Sequence, residues 1–300
     1  MLYLDRNRLS FEQKSFTGLN NLEELNLSYN RLNQLKANVF YGLKQLKTLY
    51  LSENQIDTIE SKSFDGLDNL EKIYLGRNNF TEIDKCSFQG LKHIQMLDLD
   101  GNRITSFAAK IFDGLDSLNA LIMSKNQVSK IEANSFQGLK KLTKLNLHMN
   151  KIISFEKKSF FGLNSLEVLI LSANQLTKLE TNLFVDLKNL KLLNLNNNEI
   201  TLIAPKSFEG LDKLEILELS RNKLDKIDEN SFQGLLQLKS LRLDGNRINS
   251  IEPKSFDGLD NLQELNLKEN NLTQMELNFF ESLNKLPAFR PRLVEKSSSG

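Results

Sequence analysis

The chain holds few residues that could carry covalent or metal chemistry. Its two histidines, His93 and His148, lie 55 positions apart, and no serine, cysteine or carboxylate around His148 repeats a known catalytic spacing. A zinc site needs several convergent ligands, which two distant histidines do not supply. The one cysteine, Cys86, excludes an internal disulfide framework. Asn26-Leu27-Ser28, Asn79-Phe80-Thr81 and Asn271-Leu272-Thr273 match the N-glycosylation sequon, but in so asparagine-rich a chain three matches are what chance gives. No catalytic residue, metal or cofactor is expected.

Composition narrows the classes further. Lys and Arg total 39 against 38 Asp and Glu, a net charge of +1, which lacks the surplus that a nucleic-acid binder or a polybasic membrane clamp needs. A hydrophobic share of 40% and a charged share of 26% fit a folded chain and not a disordered one. No run approaches the roughly 20 apolar residues of a membrane span, so no direct membrane insertion within this chain is expected. Residues 1–30 show no signal-peptide pattern. The 300 residues predict about two domains. The aromatic count is lopsided, with 19 Phe, 5 Tyr and no Trp.

Self-similarity replaces the two-domain expectation. Asparagine recurs at 30, 54, 78, 102, 126, 150, 174, 198, 222, 246 and 270, each step 24 residues, with Asn7 beginning the series one residue short. Let n denote the asparagine. Leucine or a close substitute stands at n−8, n−5 and n−3, as in Leu46, Leu49 and Leu51, and aliphatic or aromatic residues follow at n+2 and n+5. Phenylalanine occupies n+10 from Phe40 to Phe280, with Phe16 its equivalent in the first unit, so twelve of the 19 Phe form one ladder. Glycine usually follows two residues later, and Asp186 and Ser282 break that row.

The segment n−6 to n−2 alternates buried and variable positions, the pattern of a short strand with one buried face. One strand per unit must pair with the equivalent strand of the next, in parallel and in register, stacking the apolar residues into a continuous core. A buried asparagine where the chain leaves the strand must be hydrogen-bonded, with stacked units offering backbone groups above and below. Ser before Phe, as in Ser63-Phe64, predicts an N-cap for a short helical turn on the outer side. Cys86 stands at n+8, where other units carry Lys or Asn, which predicts an exposed thiol on that side. His93, at n−9, reads as exposed loop.

The pattern LxxLxLxxNxLxxLxxxxFxGLxx, read from Leu46 to Leu67 and beyond, resembles the leucine-rich repeat, in the 24-residue "typical" subclass of Toll receptors, Slit proteins and acid-labile-subunit-like secreted proteins. The resemblance covers nearly all of residues 2–286. It implies an α/β right-handed solenoid, with a curved parallel sheet on the concave face and short helical turns or loops on the convex face. It also implies extracellular or cell-surface protein recognition rather than enzymatic activity. Residues 1–286 are expected to form one array of about twelve units, and residues 287–300 a flexible tail, with Pro287 and Pro291 stopping a further unit. The cysteine-rich caps of extracellular relatives are not recognisable. Leu2, Leu4, Leu9, Phe11 and Phe16 are therefore expected to be partly exposed, and end-to-end self-association follows as an expectation. The missing caps, leader and disulfides support an alternative, an intracellular scaffold in the cytoplasm.

Members of such a family bind through the variable strand positions n−6, n−4 and n−2. Here the ends of that face are polar and its middle apolar. Val168, Ile170, Leu192 and Ile216 form one patch, and Met96, Ala120 and Ile122 another, with Lys144, Asn146 and His148 between them. Tyr50 and Tyr74 are neighbours in one row, for which cross-strand stacking is the structural reading. Asp98, Glu218 and Arg242 flank the apolar centre. Strands about 4.8 Å apart spread the apolar units over about 19 Å. That area is on the order of a few hundred Å², short of the roughly 800 Å² each partner buries in a standard interface. The reading is a protein ligand held by an apolar centre with polar flanks. A lipid or small apolar ligand is disfavoured, because an open sheet lacks an enclosed pocket.

Overall fold

The computed structural model describes residues 1–273. Expectations on Asn278, Phe280, Ser282, Leu286 and the 287–300 tail lie outside those residues. Twelve three- or two-residue strands, beginning with Leu2–Tyr3 and ending with Glu264–Asn266, form one sheet whose spatial order is the chain order. Every pairing is parallel and one unit apart, as in Leu49↔Ile73 and Leu169↔Leu193. The chain is thus a parallel-strand solenoid of about 11 turns. A strand of three residues has no stability alone; its backbone finds partners only in its neighbours, as where the Leu51 N–H donates to Tyr74 O at 2.8 Å. The n−5 and n−3 leucines beneath it are fully buried in a single core. Of the first-unit residues expected to be partly exposed, Leu2, Leu4, Leu9 and Phe11 are half-buried, whereas Phe16 is buried.

The asparagine row explains how the chain leaves the strand. Residue n−1 takes a left-handed conformation in unit after unit, among them Tyr29 (φ 56°), Arg77 (φ 54°) and Ala173 (φ 55°). That conformation costs a residue with a Cβ roughly 1–2 kcal/mol. The asparagine offsets it. Asn174 Nδ2 donates to Leu171 O and, one unit back, Leu147 O, both at 3.0 Å, while its Oδ1 accepts the Ile152 N–H at 3.0 Å. Partners lie in its own and the preceding unit only, so the expected bonding above and below narrows to one direction. Among the described residues no buried side-chain polar atom lacks a partner.

The convex side differs from the expectation in two ways. There is no helix among the described residues; the outer segment is a run of turns, such as Asp65 N–H to Lys62 O and Leu67 N–H to Phe64 O. The serine is not an N-cap. Ser63 Oγ donates to Glu60 O at 2.7 Å and, across the unit boundary, to Leu35 O at 2.8 Å. It is buried, and it stitches successive units together. The Phe rings stack at 5.8–6.4 Å from Phe112 through Phe256, and Phe16, Phe40 and Phe64 form a separate run.

The convex face also has a 48-residue period. At n+8, or n+7 in the short first unit, Asn38, Asn134, Asn182 and Asn230 alternate with Lys14, Lys62, Lys110, Lys158, Lys206 and Lys254, and all adopt φ of 58–67°. Four two-stranded sheets each join an Asn unit to the Lys unit after it, as Gln34–Leu35 with Thr58–Ile59. The Cys86 and Lys110 units form no such pair. Cys86 is the one described n+8 residue outside the left-handed region. Phe88 stands outside both runs of stacked rings, and Phe107 instead packs against Phe112 and Phe136 at 5.8 and 5.6 Å. The thiol is half-buried, not exposed as expected; Asn38 and Asn134 are half-buried at the same position, so a polar residue there does not by itself mean exposure. A second irregularity follows from Asp186 in the glycine row: the Val185 carbonyl lies 2.6 Å from where a Cβ on Gly210 would stand. A cavity of about 720 Å³ opens nearby between Phe155 and Leu183.

Candidate functional site

Positions n−6 and n−4 of every strand point to the concave face, because the intervening n−5 side chain is buried. Val168, Leu192 and Ile216 are register partners in sequence, so their side chains form a continuous apolar row. Ile170 lies one row over, opposite Asn146 and Asn194. All four are half-buried, walled by their own neighbours yet open to the face. Ile122 is half-buried too, opposite Asn146 on the other side. Lys144 and Asn146 lie on the strand between the two patches, with His148 just past its end, and Lys144 is exposed.

Several polar candidates do structural work on this face. Asn146 Oδ1 accepts the His148 N–H at 3.0 Å. The same bond recurs for Asn26, Asn194 and Asn266, and for Asp98 with the Asp100 N–H at 2.8 Å. The n−4 side chain therefore pins the strand end through its Oδ1. His148 Nδ1 lies 2.8 Å from Ser172 Oγ and 3.2 Å from Ser172 O, which fixes the ring against the next unit. Glu218 Oε2 accepts from Asn196 Nδ2 at 2.9 Å. Arg242 is exposed, 3.6 Å from Glu264. Sequence reasoning missed the n−4 ladder and the n−2 chain that continues it, in which Ser220 Oγ and Asn266 Nδ2 both donate to Asp244 Oδ1. The signal was present as the repeated Asn at n−4.

The rings of Tyr50 and Tyr74 stack at 4.9 Å and 6°, as the row spacing predicts. Burial raises the Tyr50 hydroxyl above its ordinary pKa, and the neighbouring Tyr74, Glu24 and Tyr3 raise it further. Burial also raises the Asp98 carboxyl, against the lowering effect of its bond from the Asp100 backbone. His93 is exposed, as expected. Of the sequon asparagines, Asn26 is half-buried with its Oδ1 accepting the Ser28 N–H, Asn79 is half-buried and Asn271 is exposed. Among the described residues, no three His, Cys, Asp or Glu side chains gather to hold a metal, and no helix is long and apolar enough to cross a membrane.

A stacked parallel strand, an asparagine ladder and a phenylalanine spine define the leucine-rich repeat. A family model described as leucine rich repeat matches residues 1–56, 44–104, 97–152, 141–200, 188–248 and 236–288, and the chain belongs to that family. It is similar to a chain of the Toll–Spatzle complex of Drosophila, at 25% identity and a TM-score of 0.80 over 89% of this chain and 36% of that one. It is also similar to a chain of the TLR13–ssRNA13 complex, at 25% identity and a TM-score of 0.56 over 95% of this chain and 61% of that one. A leucine-rich repeat protein of Leptospira interrogans matches at 27% identity and a TM-score of 0.63, over 90% of this chain and 78% of that one. The chain thus spans less than two thirds of the Toll-complex and TLR13 chains. A comparison with curated protein sequences finds no match. Folds of this receptor-like kind are generally non-enzymatic.

Proposed function

We propose that this chain is a non-enzymatic recognition module that binds a protein ligand on its concave face, as part of a secreted or cell-surface leucine-rich repeat protein. The observation that carries the reading is the row of Val168, Leu192 and Ile216 with Ile170 beside it, apolar side chains on a face whose other strands are mostly polar. A β-sheet pinned by ladders of side-chain bonds presents them with little loss of conformational freedom on binding, which favours affinity. The hot-spot centre is then Ile170, Leu192 and Ile216, with Val168 beside it and Ile122 across the Lys144–Asn146 strand. Lys144, Asn146, His148, Glu218 and Arg242 form the polar rim that sets register.

Similar solved chains occur in complexes with a protein, Spatzle, and with ssRNA. Charge favours a protein here. The strand positions n−6, n−4 and n−2 carry Asp5, Glu24, Asp98, Asp100, Glu218, Asp244 and Glu264 against Lys72, Lys144, Arg242 and Lys268, and an acidic surface repels phosphate. The test compares capture of binding proteins by the wild type and by Ile170→Asp/Leu192→Asp, both with unchanged melting temperature. Loss of a specific partner in the variant supports the reading; a partner held equally by both contradicts it.

A further inference from the structure

The amino-terminal half of the concave face holds a second, different surface. Tyr50 and Tyr74 stack ring on ring at 4.9 Å, about the spacing of their strands. Their ring planes therefore stand upright across the sheet, and the outer face of Tyr74 looks toward the next strand. There its register partner is Asp98. An aspartate is much shorter than a tyrosine, so the layer above it continues the stack as open space. Both carboxylate oxygens of Asp98 lie beside Gly76, 3.7 Å from where a Cβ there would stand, with the Asp100 carbonyl at 3.2 Å.

Asp98 is anomalous for a reason that the repeat itself exposes. Its structural task, accepting the n−2 N–H, is done by asparagine in the units of Asn26, Asn146, Asn194 and Asn266. The carboxylate shortens that bond to 2.8 Å against 3.0–3.2 Å for the amides, but the amides show that the bond forms without a charge. It is held half-buried, in a setting that opposes ionisation. A charge kept at a cost to folding, beside an aromatic face, is the arrangement expected of a binding group. On the same face Lys72 lies one strand back, and Glu24 and Asp5 three and four strands back, while Lys125 favours the ionised Asp98. Asp100 is engaged by Ser124 Oγ at 2.6 Å and Lys125 Nζ at 3.5 Å.

We propose that Tyr74 and Asp98, with Tyr50 behind them, form a receptor site for an arginine side chain on a basic segment of the partner protein. The guanidinium lies flat on the outer face of Tyr74 as the third layer of the stack, and its edge donates to the Asp98 carboxylate. Arginine fits better than lysine because its plane stacks on an aromatic ring while its edge pairs with a carboxylate. This inference rests on the concave face being the binding surface, and it names the chemistry at one end of it.

The test uses the full chain labelled with 3-fluorotyrosine, titrated with the blocked peptide Gly-Arg-Gly-Arg-Gly and its lysine counterpart, followed by fluorine NMR. The Tyr50 and Tyr74 resonances, assigned by substitution, shift with the arginine peptide, and the lysine peptide binds several-fold more weakly. Asp98→Asn and Tyr74→Asn install the residue that other units carry at this position, so both fold. Each weakens the arginine peptide on the order of tenfold. Ile170→Asp/Leu192→Asp leaves this titration unchanged. Equal affinity in wild type, Asp98→Asn and Tyr74→Asn overturns the proposal, as does an arginine peptide that moves neither resonance. If those peptide arms fail while Ile170→Asp/Leu192→Asp still abolishes partner capture, the arginine site falls and the concave reading stands.

Discussion

At the scale of single residues, two side chains at one end of a strand do opposite things. The buried asparagine holds the turn. Asn174→Ala strips the Ile152 N–H and the carbonyls of Leu147 and Leu171 of their side-chain partner. It should lower the unfolding free energy by about 2–4 kcal/mol, read by denaturant titration, whereas the exposed neighbour Gln175→Ala should change it by less than about 0.5 kcal/mol. Asp98, four residues before its own asparagine, works against stability. Its folded carboxyl titrates above the unfolded value, so the native state binds the proton more tightly. The penalty is fully present above the folded pKa and is relieved as pH falls through it toward the unfolded pKa of about 3.9. Asp98→Asn should therefore melt above the wild type at pH 7, and that margin should shrink as the pH approaches 3. An unchanged margin across that range removes the burial argument. The asparagine row was legible from spacing alone, since a polar residue recurring among buried leucines has few roles. The Asp98 anomaly was not: an acid in a variable row reads as solvated until its N–H partner is seen.

At the scale of the repeat, the concave and convex sides follow different periods. The strands repeat every 24 residues because each leucine pair must cover the one below. The convex turns pair two by two: the short strands of an Asn unit and the following Lys unit are joined, and the Asn38, Asn134 and Asn182 N–H groups donate to the Lys62, Lys158 and Lys206 carbonyls, with Asn and Lys alike in a left-handed backbone. Asparagine tolerates that conformation better than most residues. Sequence reading takes Asn and Lys at this position as evidence of solvent exposure, and so expects an exposed thiol; backbone conformation, not exposure, is what the two residues share. Cys86→Asn should restore the missing turn. We expect a stability gain on the order of 0.5–1 kcal/mol and slower hydrogen exchange at the residue 86 amide, by analogy with the Asn134 N–H bonded to Lys158 O at 3.1 Å. In the wild type the half-buried thiol should react with a maleimide in the native state, more slowly than after denaturation. An identical exchange rate in the variant would mean that the irregularity belongs to the whole segment from Phe80 to Phe112 and not to residue 86.

At the scale of the molecule, the solenoid is one continuous core with two kinds of outward surface. Its apolar side chains are not confined to the concave face. Ile153, Phe161 and Leu202 are 53%, 42% and 45% exposed away from that sheet, more open than Ile170 or Leu192. Exposure alone would favour them; contiguity favours the concave row, in which Val168, Leu192 and Ile216 are adjacent strand partners. The architecture and strand register were readable in the sequence because a strict period leaves one way to stack, whereas the convex turns and the side-chain ladders depend on backbone geometry that a period does not specify. The most direct test of concave recognition is side-chain oxidation footprinting of the chain with and without its captured partner. Protection at Ile170, Leu192 and Ile216, with Ile153, Phe161 and Leu202 unchanged, is the predicted result. Protection of Ile153, Phe161 and Leu202 with the concave row still reactive would contradict it.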